Sequence, residues 1–377
     1  MNKIILLFCL ILTSQNLYAV QEIIKTYRGV RSLGMGGTFV TTGLYDDALF
    51  GNPATQLEDP TWKVSLLNVT AEINSNLVKD LQKFQEVTKA QGSEVFTKAT
   101  DGGLIGRNEH VRVSMLPSFY APRLFGDNVG FAFGLLANLQ ANIMIRSDAS
   151  AIAQAYADAG PAFGFAMKFL DDTLTVGINT RVLYRLAADQ NISAVQFLAG
   201  KKLSLTSIGG QGIGVDGDVG GYYKLPLALP FFLRQISVGG SVNNVVATKF
   251  NVIQKKLIQK LESLPPQNYR SYGVGARVDF PDVFILRDTH WAVEMLDIGY
   301  LGNKTHSAWK RFHMGGETRL IKFLLVRAGF NQGYPGGGLG VDIPILKIDV
   351  ATYGEELGTN IGQLQDRRYV ARISFDI

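Results

Sequence analysis

Cysteine is all but missing from this 377-residue chain, where Cys9 stands alone. Beyond that position there is then no disulfide framework, no Cys-ligated metal and no thiol nucleophile. His110, His290, His306 and His313 are scattered without an HExxH or similar spacing, so no metal site is expected. Serine elbows, Walker loops and nucleophile–base pairs are missing as well, which points away from an enzyme and from a bound cofactor. Basic stripes are missing: 37 Lys+Arg against 32 Asp+Glu leave a dispersed net charge of +5, unlike a nucleic-acid binder. Long apolar runs are absent too, since no segment after the first residues reaches the roughly 18–20 residues of a membrane helix.

The apolar run that does exist is N-terminal. Met1-Asn2-Lys3 precedes Ile4 to Leu12, then polar Thr13 to Asn16, then Leu17-Tyr18-Ala19. This is the charged, apolar and small-residue order of a secretory signal peptide, residues 1–19, cut after Ala19. A retained anchor would need a longer run, and a lipoprotein would need small residues before Cys9, where Leu7-Phe8 stand. Cleavage leaves 377 − 19 = 358 residues and, with Lys3 gone, a net charge of +4.

What is abundant is alternation. From Val129 to Ile145 every odd position is apolar, while even positions are mostly Gly, Ala, Asn or Gln. Period two over seventeen residues describes a strand with one apolar face, far longer than the usual five or six residues of a soluble strand. The pattern recurs at Leu174–Leu186, Phe163–Phe169, Ile213–Tyr223, Tyr272–Phe280 and Tyr369–Ile377. The last resembles the insertion signal of outer-membrane barrels, with Ile377 where Phe is usual, and implies the barrel-assembly machinery as a partner. Connections alternate in length. Short ones lie near 126–128, 171–173, 320–323 and 346, and long ones near 76–109, 147–157, 189–209, 248–268 and 355–367. The expected fold is all-β: a transmembrane antiparallel β-barrel of about 14 strands over residues 62–377, exported to the outer membrane of a Gram-negative-type bacterium. Closure follows because hydrocarbon leaves an open sheet edge without hydrogen-bond partners. A soluble β-sandwich would explain the alternation, but not strand length, export signal and loop asymmetry together.

Two loops read as partly helical. Leu77, Leu81 and Phe84 recur at helical spacing, as do Ile253, Leu257, Leu261 and Leu264. Either stripe could rest on the barrel mouth. Lys255, Lys256 and Lys260 on the second are candidates for contact with lipopolysaccharide phosphates.

Residues 20–61 are too poor in apolar residues for a membrane strand. They carry Gly34-Met35-Gly36-Gly37, then Asp46-Asp47, then Asn52-Pro53-Ala54. This lead, turn and tripeptide resemble the N-terminal hatch of FadL-type outer-membrane transporters. Met314-Gly315-Gly316-Glu317 and Arg327-Ala328-Gly329-Phe330-Asn331 are similar to the PorV-like branch of that superfamily. The resemblance implies a fourteen-stranded barrel plugged by its N-terminal segment. It implies binding or passage of hydrophobic compounds such as long-chain fatty acids: capture by external loops, a hatch movement, then release through the wall. The PorV-like alternative implies a non-transporting barrel in protein secretion or surface assembly, with a protein partner at the external loops.

Gly212-Ile213-Gly214-Val215-Asp216-Gly217 matches GxGxxG, but strand alternation continues through it where a dinucleotide site needs a helix. The glycines are expected to ease curvature or make room for the hatch. Asp216 and Asp218 share the lumen face of that strand, as Arg181 and Arg185 do of theirs. The arginines would serve either a fatty-acid carboxylate or an internal ion pair. Trp62, Tyr120, Trp291, Tyr300 and Trp309 are expected in an interfacial girdle.

Overall fold

The computed structural model describes residues 22–377, apart from 91–92, 125, 193–208, 253–257, 259–260, 262 and 301–306. The signal-peptide expectation and Lys255, Lys256 and Lys260 lie outside the described residues.

Fifteen β segments run in chain order as one antiparallel sheet: β1 (Lys63–Asn74), β2 (Asn108–Met115), β3 (Ser118–Ala121), β4 (Val129–Ile145), β5 (Ala151–Phe169), β6 (Leu174–Ile192), β7 (Gly209–Lys224), β8 (Gln235–Asn243), β9 (Ser271–Asp279), β10 (Leu286–Ile298), β11 (Phe312–Leu320), β12 (Leu324–Asn331), β13 (Tyr334–Asp342), β14 (Leu346–Glu356) and β15 (Gln365–Asp376). β2 and β3 occupy one position, since both lie between β1 and β4. β15 pairs back onto β1, from Ser65 opposite Asp376 to Asn74 opposite Arg368, and closes a fourteen-stranded barrel. The ring of pairings is closed among the described residues, as a backbone in hydrocarbon requires, and the half of β7 that extends beyond β8 is bridged instead at Ser263 and Asn251.

Alternation sorts the side chains. On β4 the odd positions from Val129 to Ile143 are exposed or half-buried on the outward face and the even ones are buried inward, while Ile145 at the end of the span is buried. On β6, Val176 and Ile178 are exposed while Asn179 and Arg181 are buried. The inner face is therefore largely polar and the outer face apolar, the latter covered by Val87, Ala99 and Leu104 where Ile145, Ala151 and Ile192 reach the long-loop end.

One end carries the connections at 122–128, 170–173, 225–234, 280–285, 321–323 and 343–345, with Trp62 and Ile377. The other, the long-loop end, is where β1, β4, β6, β8, β10, β12 and β14 end. One expected long loop is corrected. The stretch near 147–157 is a tight turn at 146–150, and β5 already pairs with β4 from Ala151. Its Ala-rich start has too little apolar contrast for alternation to register. The helix around Leu77 exists as Ser75–Lys89, but Leu81 is exposed, and Val87 instead packs with Ala99, Leu104, Ile145 and Ile192.

Register shifts at Ser65–Leu67, Arg287–His290 and Met295–Ile298 mark the wall, and two further irregularities fall at prolines. At Leu116-Pro117, between β2 and β3, Leu116 turns inward and is fully buried. At Gly160-Pro161 the β5–β6 pairing lapses between Ala159–Tyr184 and Ala162–Arg181, because proline has no N–H to donate. A side chain at Gly160, whose φ is +153°, would collide with the Val182 carbonyl, its Cβ 1.9 Å away.

Candidate functional site

The lumen is where polar groups converge, and residues 22–61 lie in it. The segment is fixed at successive levels by charged side chains of the wall. Near the long-loop end Arg368 donates two bonds to the Glu22 carboxylate, both 2.8 Å. Lys25 pairs with Asp297 at 2.9 Å, and Arg28 donates to both oxygens of Glu355 at 2.8 and 3.1 Å. Arg31 donates to Glu317 at 2.9 and 3.1 Å and to the Thr42 carbonyl. Glu317 in turn accepts from Arg327, which also reaches Asp349. Each pair joins an inward position of a strand to a segment hundreds of residues away in sequence.

Glu294 on β10 carries a different kind of contact. Its two carboxylate oxygens accept the backbone N–H groups of Phe39, Val40 and Thr41 and the Thr41 hydroxyl, all at 2.8–2.9 Å. Successive N–H groups converging on one carboxylate form an anion-binding concavity, here filled by the wall.

The sequence-flagged glycines sit where backbone meets backbone. Gly36 and Gly37 have φ of +69° and +83°, and a Cβ at Gly36 would lie 2.4 Å from the Met314 carbonyl. Opposite it, Gly315 and Gly329 leave no room for a Cβ against Met35 and Gly36. Gly34 rests against Arg327 and Gly338. The residues quoted around 314–317 and 327–331 thus form the seat of the segment's first turn.

Asp46 accepts from Tyr27, Asn68, Tyr120 and Arg372 at 2.8–3.1 Å. Its neighbour Asp47 is buried without such a set; burial pushes its carboxyl up to about 6, with Arg31 pulling it down and Asp46 adding to the rise. Asn52 donates to the carbonyls of Val40 and Gly221 and accepts from Ala54 N–H. Asn52-Pro53-Ala54 presses on the wall where Gly177 and Gly220 stand; a Cβ at Gly220 would lie 1.8 Å from Asn52 Oδ1.

The four lumen candidates are internally partnered. Arg181 donates to Asp218 at 2.6 and 3.1 Å, and Arg185 to Asp158 at 2.6 and 2.8 Å. Asp216 accepts from Val246 and Thr248 of the loop before β9. The ion-pair reading therefore describes both arginines in this state. Gly212 and Gly214 make room for Phe250 and Thr248 of that same loop, and not for the N-terminal segment.

Two girdle expectations are corrected. Tyr120 points inward, 4% exposed, and bonds Asp46. Tyr300 packs against Tyr269 beside a lumen cavity. Trp62, Trp291 and Trp309 are exposed. Among the described histidines, His110 bonds Glu72 and Asn142, His290 lies 3.4 Å from Arg31, and His313 meets the Gly36 carbonyl.

Space remains on both sides of the segment. Towards the long-loop end is a cavity of about 90 Å³ bordered by Tyr27, Phe39, Phe50, Tyr269 and Tyr300, with Arg181 and Asn268. At the short-turn end two adjoining cavities of about 560 and 290 Å³ are lined mainly by charged residues, Arg31, Asp59, Glu317 and Arg319 among them. An inward apolar cluster, Tyr27, Leu116, Leu136, Leu183 and Phe250, includes Leu116 of the first wall interruption and Leu136, which is paired with Gly160 of the second.

No protein-family model matches the chain, and no curated protein matches it in sequence. Solved structures do match in fold. The toluene transporter TbuX of Ralstonia pickettii is 13% identical, with 93% of this chain and 97% of that one covered and a TM-score of 0.51. The toluene transporter TodX of P. putida is 13% identical over 93% and 98%, with a TM-score of 0.52. The CymD monoaromatic hydrocarbon channel is 13% identical over 94% and 98%, with a TM-score of 0.51. The likeness extends over nearly the whole of each chain and is one of fold, that of a closed antiparallel β-barrel.

Proposed function

We propose that this chain is an outer-membrane barrel that binds or passes small hydrophobic compounds, with residues 20–61 as a hatch that gates the lumen. The observation that carries the reading is the placement of the described part of that segment across the barrel, between an aromatic-bordered cavity and a charged vestibule. The short-turn end then faces the periplasm and the long-loop end the outside. The three solved neighbours are named for toluene or monoaromatic hydrocarbons, which supports an apolar cargo. Long-chain fatty acids are the class the FadL resemblance implies. A hydrophobic compound has little reason to cross the charged vestibule, since apolar surface gains nothing there. Exit through the wall at Leu116-Pro117 or Gly160-Pro161, beside the apolar cluster, is the route we favour. Outer-membrane lipid and lipopolysaccharide surround the apolar face and loops in this reading, and the barrel-assembly machinery reads the β15 strand.

The test is lipid extraction and mass spectrometry on protein purified from its own outer membrane in mild detergent. Selective recovery of an apolar compound, absent from an unrelated barrel treated identically, supports the reading and names the cargo. An empty barrel counts against it.

One observation favours the second reading, a PorV-like barrel for secretion or surface assembly. The segment leaves only a narrow cavity, of about 90 Å³, on its long-loop side. A stable protein partner at the external loops, with no co-purified lipid, would decide for it.

A further inference from the structure

The wall is not equally tall all round. β5 and β6 run 19 residues each, whereas β8, β9, β11 and β13 run 9 and β12 runs 8. With about 3.3 Å per residue and a tilt near 45°, nineteen residues rise about 44 Å and nine about 21 Å. The apolar band of an outer-membrane barrel is about 25 Å tall. Five strands of the low side, β8, β9, β11, β12 and β13, fall short of it, while β10 between them, at 13 residues, does not.

That same arc has apolar turns at the short-turn end. Leu225 to Leu233 contains no charged residue, and Leu227, Phe231 and Phe232 in it are exposed, Phe231 by 94%. Val283, Phe284 and Ile285 follow at the next turn, with Phe284 99% exposed. Ile321 and Phe323, then Ile343 and Ile345, complete the series. On the tall side the corresponding turns carry Arg123 and Asp127, then Asp171 and Asp172. Asp282 and Lys322 are exposed in these turns, but the other charges beside them keep the two-faced logic of the strands. Arg319 pairs with Asp288 and Asp342, and Lys347 with Asp342, all four lining the vestibules while their apolar neighbours stay uncovered.

We propose that the arc of turns from β7 to β14 is immersed among the acyl chains of the adjoining leaflet and supplies the apolar height that its strands lack. The patch is continuous with the outward face of the strands it caps, such as Leu339, Ile348 and Val350. The hydrocarbon boundary then crosses turns on one side of the barrel and wall on the other. This rests on the chain spanning a membrane, and not on what it carries.

Site-directed spin labelling tests it. In a Cys9→Ser background, labels are placed by Phe284→Cys, Phe231→Cys, Asp172→Cys and, as a reference on the outward face of the strands, Phe330→Cys. The folded full chain is reconstituted in phosphatidylethanolamine–phosphatidylglycerol vesicles. Collision with oxygen, which partitions into lipid, is compared with collision with a water-soluble nickel chelate. Immersion gives an oxygen-to-nickel ratio at residues 284 and 231 near that at 330, and at least tenfold above that at 172. A ratio at 284 and 231 equal to that at 172 overturns the proposal. Protection from both reagents there also overturns it, in favour of a second copy or a protein partner. If residue 330 itself prefers nickel, the barrel is not in the bilayer, and the functional reading fails together with this one.

Discussion

Replacing Glu294 by Gln should release the N-terminal segment from the wall while leaving the barrel closed. Four donors, three backbone N–H groups and one hydroxyl, meet the two carboxylate oxygens at 2.8–2.9 Å. Glutamine keeps one acceptor oxygen and turns an NH₂ group towards the other pair of donors. The Thr41 hydroxyl can rotate away, but the backbone N–H groups cannot. A hydrogen bond to a charged group contributes about 1.5–3 kcal/mol, and a buried donor left unpaired costs about 1–3 kcal/mol. Losing the charge and stranding one donor pair therefore weakens docking by about 4 kcal/mol, close to a thousandfold. The flanking pairs, Arg28–Glu355 and Arg31–Glu317, remain and limit how far the segment departs. Hydrogen–deuterium exchange read on the peptide spanning Phe39 to Thr41, in detergent micelles, follows the release directly. Unheated gel mobility checks that the barrel is still folded. Exchange at those amides within threefold of wild type, in a folded barrel, would refute the claim that Glu294 holds the segment.

Gly220→Leu places side-chain atoms where Asn52 Oδ1 now sits, 1.8 Å from the Cβ position, so residues 50–56 should become protease-sensitive while barrel gel mobility is unchanged. Arg372→Ala takes the paired cation from Asp46, which keeps only its neutral donors, and leaves Asp349 to Arg327 alone; breaking a buried pair costs about 3–5 kcal/mol, and the temperature of barrel unfolding should fall. Asp47 gives the docked segment a pH dependence. Its carboxyl rises from an ordinary 3.8 to about 6 on docking, so the docked state holds the proton more tightly. Docking is then favoured at low pH, weakens as pH climbs from about 4 to 6, and stays weaker above. Asp47→Asn should flatten the pH profile of exchange between 4 and 7, and an unchanged slope would remove Asp47 as its source.

The barrel was legible because one rule, apolar outside and polar or small inside, repeats along every long strand. β4 was read residue for residue for that reason. The start of β5 was not, since Ala151, Ala153, Ala155 and Ala157 on its outer face carry too little apolar signal. Tyr120 failed as a girdle residue because a short strand after a proline break gives no reliable face. Glu294 was missed although its signal was present: alternation over Trp291, Val293 and Met295 points them out and leaves a lone acid facing in. A lone charge on an inner face demands a partner, and the same reasoning marks Glu317, Arg327, Asp349 and Arg372. What no local pattern supplies is the partner's identity. Arg31 and Glu317 are separated by 286 positions, and only closure of the barrel brings them together.

Holding the segment by charge rather than by apolar packing has a consequence for gating. A hydrophobic plug would resist release in proportion to its buried area, because every square ångström returned to water costs free energy. The ion pairs here behave differently. Arg28, Arg31, Glu317 and Glu355 all lost hydration when they paired, and they regain it when parted in a wetted lumen. Their geometry fixes where the segment sits, while their net hold on it is much smaller than the number of bonds suggests. The 560 and 290 Å³ vestibules beneath Arg31 and Glu317 provide room for water at the lower pairs. A segment so held is positioned strictly and released cheaply, which suits a hatch that moves better than a permanent seal.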